Sequence, residues 1–321
     1  ETIHYPRYQD VFGETMVELA TENPKIVGVT PAMTTGCSLT AMMEKFHDRA
    51  FELWIAEHHE VNFSGGVSVQ GMIPYCNIYS TFMQRAYDQV VHDVAIQNLH
   101  VIFCLDRGGL VGSDGATHHG VFDLAFMRSI PNMTVAAPMD EIELRQMLYT
   151  FQTQPFGPVS IRYPRGKGVH AQWKVPFEKI PVGKGRVICQ GDQLAILTIG
   201  HVGNFARKAI EKLKGEGYSV ALYDMRFVRP LDEELLKEVF TKFDKIITIE
   251  DGVIKGGFGS AVIEWANFNG FSQNPVLLGV PDHFVDHGSL QELYKECKFD
   301  ALSIYQTTLN LLTGETPQKT D

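Results

Sequence analysis

Short apolar runs alternate with longer amphipathic segments along most of the chain. The clearest amphipathic segments, residues 82–99 and 141–152, carry apolar positions at helical spacing. The apolar runs have the length of buried strands. In the first half of the chain these runs cover residues 25–29, 51–56, 73–78, 101–105, 133–137 and 159–162. Strands that alternate with helices are typical of a parallel sheet covered by helices, so the pattern predicts an α/β fold.

The periodicity breaks at one stretch that is rich in glycine and proline. This stretch, residues 166–192, has the composition of a linker. Strand and helix patterns alternate again from residue 194 to about residue 312. The sequence therefore predicts two doubly wound domains with mostly parallel sheets, one over residues 1–165 and the other over residues 193–321.

Composition and charge exclude several functional classes. The 321 residues include 28 Lys and Arg against 38 Asp and Glu, a net charge of −10. A chain this acidic is a poor binder of nucleic acid or of an anionic membrane, so neither is an expected partner. The five cysteines are widely spaced without a Cys-x-x-Cys pair, which argues against disulfides and favours a cytoplasmic location. The first residues lack a signal-peptide pattern, and no apolar run is long enough to span a membrane.

The segment Glu57-His58-His59-Glu60 concentrates ionisable groups directly after an apolar run. Its spacing differs from the His-Glu-x-x-His pattern that brings two imidazoles to one face of a helix, so we expect no metal site. Two roles for Glu57 stay open at this point. It is either a cap of the next helix, with His58 and His59 as polar neighbours, or a catalytic group.

A predicted strand passes directly into a helix at residues 78–89. Thr81 and Gln84 have the spacing of a capping box, which predicts Phe82 in the first helical turn and Arg85 one turn later. Phe82 begins an apolar stripe, so it is either core or a stacking platform for a ligand ring. Tyr79 and Arg85 are expected at the carboxyl end of the sheet, where ligands gather in open parallel sheets.

Two further segments carry polar groups after predicted strands. The first is a glycine-rich loop at residues 104–120, and it contains Asp106, Arg107, Asp114, His118 and His119. Such a loop is either part of a site or an ordinary connection. The second segment ends a strand with Arg162 and Arg165, which predicts either an anion clamp or solvated linker charge. Residues 250–260 lack known phosphate-binding spacings and are expected to be structural.

Four of these segments, in their order along the chain, resemble a known family. Residues 55–59, 79–97, 106–118 and 162–166 closely resemble 1-deoxy-D-xylulose-5-phosphate synthases, thiamine-diphosphate enzymes of the transketolase superfamily. The resemblance runs from about residue 5 to about residue 312. It covers only the family's pyrimidine-binding domain and its transketolase C-terminal domain. His58 stands where the family usually carries Gln.

The resemblance implies a reaction, a cofactor and roles at the cofactor ring. The family condenses pyruvate with glyceraldehyde 3-phosphate to 1-deoxy-D-xylulose 5-phosphate and CO₂, for isoprenoid precursor, thiamine and pyridoxal biosynthesis. By resemblance, Glu57 contacts N1′ of the aminopyrimidine of thiamine diphosphate and promotes removal of the C2 proton. Phe82 is implied to stack on the pyrimidine ring, with Arg85 nearby.

The resemblance also implies substrate contacts. Arg107 and Arg165 are the implied clamp on the phosphate of the acceptor aldehyde. Tyr79, Asp114 and His118 are implied to hold hydroxyl and carbonyl groups, with His118 as the catalytic proton donor or acceptor. The resemblance assigns no role to His58, His59 and His119.

One feature of the superfamily does not occur in this chain. The cofactor's diphosphate is normally held through Mg²⁺ by a Gly-Asp-Gly motif with a downstream Asn, and neither residues 113–115 nor residues 250–252 match it. The diphosphate-binding domain is therefore expected on a missing segment or a separate chain. We expect this chain alone to form a homodimer, to lack activity and to bind the cofactor weakly.

Two alternatives to a partial synthase stay open. One is the beta subunit of a 2-oxo acid dehydrogenase, which has a similar length and domain order. The other is a non-catalytic dimerisation module. The implied phosphate clamp of Arg107 and Arg165 favours the synthase, because a lipoyl-domain acceptor has no phosphate. A module kept only for packing would not need Glu57, Phe82 and His118 together.

Overall fold

The structure is a computed structural model that describes residues 4–314. The strands in this range are β1 Ile26–Thr30, β2 Ala50–Glu52, β3 Ile73–Tyr79, β4 Ile102–Asp106, β5 Thr134–Ala136, β6 Val159–Arg162, β7 Arg186–Cys189, β8 Leu194–Thr198, β9 Val220–Asp224, β10 Phe227–Arg229, β11 Ile246–Val253 and β12 Val276–Val280. They form two sheets, and the predicted α/β class with mostly parallel sheets is confirmed.

Helices connect most of these strands. The α-helices of the described range are α1 Tyr8–Glu22, α2 Thr40–Lys45, α3 Glu57–Val69, α4 Ser80–Met83, α5 Tyr87–Gln89, α6 Asp123–Arg128, α7 Glu141–Phe151, α8 Gly203–Gly215, α9 Glu233–Lys242, α10 Phe258–Phe268, α11 Leu290–Glu296 and α12 Ala301–Thr313. A 3₁₀ turn, Gln84–Ala86, joins α4 to α5, and a π-helical segment, Val90–Ala95, follows α5. Within residues 4–314 no helix is both long and apolar enough to cross a bilayer.

The first sheet has seven strands in the order β10-β5-β6-β4-β3-β1-β2. Its neighbours run parallel, apart from β10, which pairs antiparallel with β5. Buried side chains of α1, α2 and α7 cover one face, and those of α3, α6 and residues 83–95 cover the other. Parallel strands are buried on both faces in such an arrangement, so they appear in the sequence as continuous apolar runs.

The second sheet has the order β12-β11-β8-β9-β7 and is parallel except at β7. Two strands tie it to the rest of the chain. β7 lies within the predicted linker, residues 166–192, and pairs antiparallel with β9. β10 follows β9 in sequence but adds to the first sheet. The proposed domain boundaries stay a prediction, although these two strands join the domains more closely than a plain linker would.

Three local predictions are wrong. The predicted strand over residues 51–56 ends at Glu52, because Trp54 has φ +55°, a left-handed conformation that interrupts an extended strand. The predicted capping box does not form, since helix α4 begins at Ser80 and the Thr81 hydroxyl donates to the carbonyl oxygen of Thr117. The helix predicted over residues 82–99 therefore starts earlier, and its α-helical pattern is broken by the 3₁₀ and π segments.

Candidate functional site

The candidate site lies at the carboxyl ends of three adjacent strands of the first sheet. Tyr79 at the end of β3 is in register with Asp106 at the end of β4, and Leu105 is in register with Arg162 at the end of β6. The segments that follow these strands carry the other candidate residues. Because parallel strands end at one edge of the sheet, residues far apart in sequence meet there.

Glu57 is the first residue of helix α3 and is almost fully buried, with 3% of its surface exposed. Ala56 occupies the N-cap position, and no side chain caps the helix. The cap role considered for Glu57 is therefore wrong, although a carboxylate in the first turn is stabilised by the helix dipole. Arg85 Nη1 donates to Glu57 Oε1 at 2.5 Å. Among residues 4–314 this is the one hydrogen bond to the carboxylate, which leaves Oε2 available to a ligand.

Phe82 lies in the middle of an aromatic and cationic group. Its ring is nearly parallel to that of Tyr79, at 13° with centroids 5.8 Å apart, and it meets the edge of His118 at 5.6 Å. The Arg85 guanidinium carbon lies 4.8 Å from the Phe82 centroid. Arg85 exposes 52% of its side chain, so it is the contact that a ligand ring can displace. Phe82 also packs against the core, so both of its predicted roles have a structural basis.

Arg107 is held firmly by the protein. Its Nη1 donates to Asp106 Oδ2 at 2.8 Å and to the carbonyl oxygen of Gly36 at 2.9 Å. Its guanidinium lies over the Tyr79 ring at 4.2 Å from the centroid. Burial raises the pKa of Asp106 to about 6, although the charge of Arg107 opposes this increase. Arg107 therefore presents a fixed cation at the strand ends, with Asp106 as its counter-ion.

Arg165 and Asp114 form an ion pair at the mouth of the site. Arg165 Nη1 contacts Asp114 Oδ2 at 2.5 Å and also donates to the carbonyl oxygen of Val111 at 3.0 Å. Their side chains are 37% and 42% exposed, so water competes for both charges. The pair is consequently one that an incoming anion can open.

The histidines of the glycine-rich loop have different surroundings. His118 is half-buried, its Nδ1 lies 2.9 Å from the Thr117 hydroxyl, and its ring faces Phe82. His119 is buried, its Nδ1 accepts from the Val111 N–H at 3.0 Å, and its Nε2 therefore donates to the carbonyl oxygen of Asp286 at 3.1 Å. His118 is open to a substrate, whereas both nitrogens of His119 are engaged in hydrogen bonds within the protein.

His58 and His59 are exposed on α3.

Arg162 does not belong to an anion clamp, contrary to one sequence hypothesis. It is 3% exposed and makes two hydrogen bonds to the Asp123 carboxylate, from Nε at 2.9 Å and from Nη2 at 3.2 Å. Its Nη2 also donates to the carbonyl oxygens of Gly120 and Asp251. The strand pattern places Arg162 at the end of a strand and Arg165 after it, but it does not indicate that only Arg162 is buried. The resemblance implies the clamp role for Arg107 and Arg165 only. The difference is that Arg162 still belongs to a central strand, whereas Arg165 lies beyond its end.

Sequence reasoning missed two buried acids close to the site. Glu60 lies one turn after Glu57, is fully buried, and neither carboxylate oxygen has a hydrogen-bond partner among the described residues. Burial raises the pKa of Glu60 well above its usual value. Asp251 reaches the loop from the second domain. The position of Glu60 three residues after Glu57 is a signal that could have been read, but nothing in the sequence points from Asp251 to the loop.

Glu250 has a structural role, in agreement with the expectation for residues 250–260. Glu250 accepts the N–H groups of Phe258 and Gly259, at 2.8 and 2.9 Å, at the start of helix α10. Burial raises the pKa of Glu250 to about 7, although these two hydrogen bonds oppose the increase. A helix N-terminus that already binds a carboxylate does not offer its N–H groups to a second anion. Within the described range no three His, Cys, Asp or Glu side chains come together in a way that could hold a metal ion.

Comparison with known protein families shows which family this chain belongs to. Residues 4–169 match the family "Transketolase, pyrimidine binding domain", and residues 183–304 match "Transketolase, C-terminal domain". The chain belongs to the transketolase family.

Curated relatives within the transketolase family are similar to this chain over nearly its whole length. The 1-deoxy-D-xylulose-5-phosphate synthase of Cytophaga hutchinsonii is 60% identical over 312 residues, which is 97% of this chain and 49% of that protein. The synthase of Bacteroides fragilis is 56% identical over 314 residues, 97% of this chain and 48% of that protein. The chain thus spans about half the length of the curated relatives that it matches.

Solved structures of transketolase-family proteins have the same fold. One, described as a split gene transketolase and an inactive β4 tetramer, superposes with a TM-score of 0.85 at 28% identity and covers 98% of this chain and 100% of its own. The transketolase of Campylobacter jejuni superposes with a TM-score of 0.78 at 15% identity, over 96% of this chain and 48% of its own. The second likeness carries information on the fold alone.

The pyrimidine side of a thiamine cofactor fits the residues present. A polar heterocycle needs a buried hydrogen-bonding group and an aromatic surface, and Glu57 Oε2 and the ring of Phe82 supply these. The fit requires Arg85 to move from the Phe82 ring, which its exposure allows.

Proposed function

We propose that this chain is the pyrimidine-binding and C-terminal part of a thiamine-diphosphate-dependent 1-deoxy-D-xylulose-5-phosphate synthase. The reaction would join pyruvate to glyceraldehyde 3-phosphate and release CO₂. The observation that carries the proposal is the buried Glu57 carboxylate, held at one oxygen by Arg85, at the same sheet edge as Arg107 and Arg165. The names of the curated relatives support the same reaction.

Glu57, Phe82 and Arg85 are proposed to bind the cofactor ring. When bound, thiamine diphosphate supplies the electron sink for decarboxylation. Glu57 Oε2 would hold a proton against a ring nitrogen, and the Arg85 hydrogen bond at Oε1 would fix the direction of the carboxylate. Glu57 is buried, whereas Arg85 is half-exposed, so the carboxylate is held in place from the solvent side of the site.

The acceptor aldehyde is proposed to bind between the two arginines. Arg107 keeps its orientation because Asp106 and the Gly36 carbonyl oxygen hold it. Arg165 would exchange Asp114 for the phosphate, which frees the Asp114 carboxylate to accept a substrate hydroxyl. Tyr79 and His118 would complete the site, with His118 as the group that holds or moves a proton at a substrate oxygen.

The remaining half of the enzyme is proposed to lie on a missing segment or a separate chain. It would carry the diphosphate-binding domain and the Mg²⁺ ligands. The solved split-gene transketolase, described as an inactive β4 tetramer, supports the proposals that this chain is inactive alone and that it self-associates, with a homodimer as the smallest unit. The matched length, about half of each curated relative, supports the same division.

The two alternatives have less support. A beta subunit of a 2-oxo acid dehydrogenase would have no phosphate for Arg107 and Arg165 to bind. A non-catalytic module would have no use for a buried carboxylate whose second oxygen is available to a ligand, since such a group is costly to bury.

The proposal is tested by reconstitution. The chain would be mixed with a separately produced diphosphate-binding domain from the Cytophaga hutchinsonii relative, together with Mg²⁺ and thiamine diphosphate. CO₂ should be released from pyruvate only in the mixture. When glyceraldehyde 3-phosphate is added, the mixture should form 1-deoxy-D-xylulose 5-phosphate. The Glu57→Gln chain is the matched control. CO₂ release in which the remaining two-carbon unit of pyruvate is transferred to a lipoyl domain, and not to glyceraldehyde 3-phosphate, would overturn the proposal.

A further inference from the structure

The loop that carries Asp114 and His118 has a closed stem. The Gly109 N–H donates to the carbonyl oxygen of Gly120 at 2.6 Å, and the Gly120 N–H donates back to Gly109 at 2.8 Å. Residues 110–119 therefore leave and return at one point of the sheet edge. The stem fixes where the loop begins, but it does not by itself fix how the loop stands over the site.

Asp251, from strand β11 of the second domain, reaches the first residue of this loop. Its Oδ1 accepts the N–H of Leu110 at 3.1 Å, and both groups are buried. The carboxylate lies directly against the bare Cα of Gly109, because a Cβ at that position would be only 1.8 Å from Asp251 Oδ2. Gly109 has φ +85°, so glycine is required there for its conformation as well as for space.

Other groups of the second domain hold the rest of the loop. The Val253 N–H donates to the carbonyl oxygen of Val121 at 2.9 Å, just after the loop. His119, near the loop's end, donates to the carbonyl oxygen of Asp286 at 3.1 Å. Arg162 Nη2 bridges the carbonyl oxygens of Gly120 and Asp251, at 3.0 and 2.8 Å. The loop thus belongs to the first domain in sequence, but much of its support comes from the second.

The surroundings of Asp251 differ from those of a residue in an ordinary ion pair. Its Oδ2 lies 3.5 Å from His201 Nε2. Burial lowers the pKa of His201 to about 3, so this ring is neutral at physiological pH. Burial also raises the pKa of Asp251 to about 7, although the Arg162 charge opposes the increase. A buried carboxyl of this kind lowers stability, and the specific contact that it makes is the bond to Leu110.

We infer that Asp251 is a positioning residue of the acceptor site, through which the C-terminal domain holds the loop of Asp114 and His118 in place. The inference rests on the proposed function for the identity of the acceptor. Glu57, Phe82 and Arg85 lie on other elements, α3 and residues 80–86. Loss of the Asp251 contact should therefore disturb the use of the acceptor and leave the Glu57–Arg85 pair unchanged, although His118 of the loop also touches the Phe82 ring.

The first test measures amide hydrogen exchange in the chain as it is. Asp251→Ala should speed exchange over residues 110–120 by about tenfold or more, with the strands β3 and β4 unchanged. Asp251→Asn keeps an oxygen for the Leu110 N–H and should restore protection. Asp224→Ala is the matched control, because Asp224 is equally buried in the same domain but binds Arg186 and the Arg226 N–H. If Asp251→Ala does not fold, Asp251→Val, which has no side-chain oxygen for the Leu110 N–H, replaces it.

Two exchange results would overturn the inference. One is unchanged protection of residues 110–120 when the Asp251 carboxylate is absent. The other is an equal gain in exchange with Asp224→Ala, because Asp251 would then contribute only to general stability.

The second test uses the reconstituted enzyme. Asp251→Ala should raise the KM for glyceraldehyde 3-phosphate by about tenfold or more and leave the KM for pyruvate within about twofold of wild type, since a small displacement of binding groups has effects of this size. Asp251→Asn should be close to wild type. Equal changes in both KM values would overturn the inference. If wild type releases no CO₂, the proposed function fails, whereas the exchange result still reports on the loop.

Discussion

Replacement of Arg162 by Met tests the distinction between Arg162 and Arg165, which the anion-clamp hypothesis paired. Arg162 and Asp123 are 3% and 1% exposed. The substitution removes two hydrogen bonds to the Asp123 carboxylate and two to backbone carbonyl oxygens. Breaking a buried pair by removing one partner costs about 3–5 kcal/mol, because the remaining charge stays buried without compensation. We expect Arg162→Met to lower the free energy of unfolding by this amount.

Urea denaturation followed by circular dichroism measures the loss. With an m value of about 3 kcal/mol per molar urea, the midpoint should fall by roughly 1–1.7 M. Arg165→Met is the matched control, since the same change three residues later breaks a pair that is 37% and 42% exposed and should cost less than about 1 kcal/mol. The double variant Arg162→Met with Asp123→Leu should recover part of the stability, because no unpaired charge is left.

The reasoning is refuted if Arg162→Met costs less than about 1 kcal/mol, or if Arg165→Met is equally costly. The first result would mean that the Arg162–Asp123 pair contributes little to stability, and the second would mean that burial does not decide the cost of breaking these two pairs. If Arg162→Met costs less than about 1 kcal/mol and also raises the KM for the phosphorylated substrate, Arg162 would be part of the anion clamp after all.

Four further outcomes are expected. Glu57→Gln should reduce turnover of the reconstituted enzyme by about 10²-fold or more with the circular dichroism spectrum unchanged, because an amide does not carry the shared proton; wild-type turnover would remove Glu57 from the mechanism. Arg165→Ala and Arg107→Ala should raise the KM for glyceraldehyde 3-phosphate far more than that for pyruvate, because each charge-assisted bond contributes about 1.5–3 kcal/mol, and equal effects would indicate a structural role. Calorimetry on the chain alone should give millimolar or weaker thiamine-diphosphate affinity, since ring contacts alone supply about 2–4 kcal/mol; micromolar affinity would contradict the missing diphosphate site. Burial raises the pKa values of Glu250 and Asp251 to about 7. Just below this pH both carboxyls hold a proton in the folded chain, whereas the same carboxyls have already lost it in the unfolded chain. The free energy of unfolding should therefore fall as pH rises through this value. Urea midpoints at pH 5 and pH 8 measure this, and greater stability at pH 8 would contradict it.

The sequence alone determined the order of the main elements and much of the site. Buried parallel strands require continuous apolar runs, so β3, β4 and β6 were predicted within a residue or two. Residues after those strands were expected at one edge of the sheet, and Tyr79, Phe82, Arg107 and His118 do lie together there. Both inferences depend on the local order of apolar and polar residues, which can be read from one sequence. The functional roles of these residues stay a proposal.

Only the tertiary structure decided which groups are partners. Periodicity reports which face of an element is buried, but it does not report what lies against that face. Arg162 is therefore a buried ion-pair residue and Arg165 a half-exposed one, although they lie only three residues apart at the end of one strand. The short strand β10 joins the first sheet from the second domain, and Asp251 binds the Leu110 N–H across 141 positions of sequence. Such contacts depend on how the whole chain packs, because hydrogen bonds between distant segments leave no periodic signal in either segment.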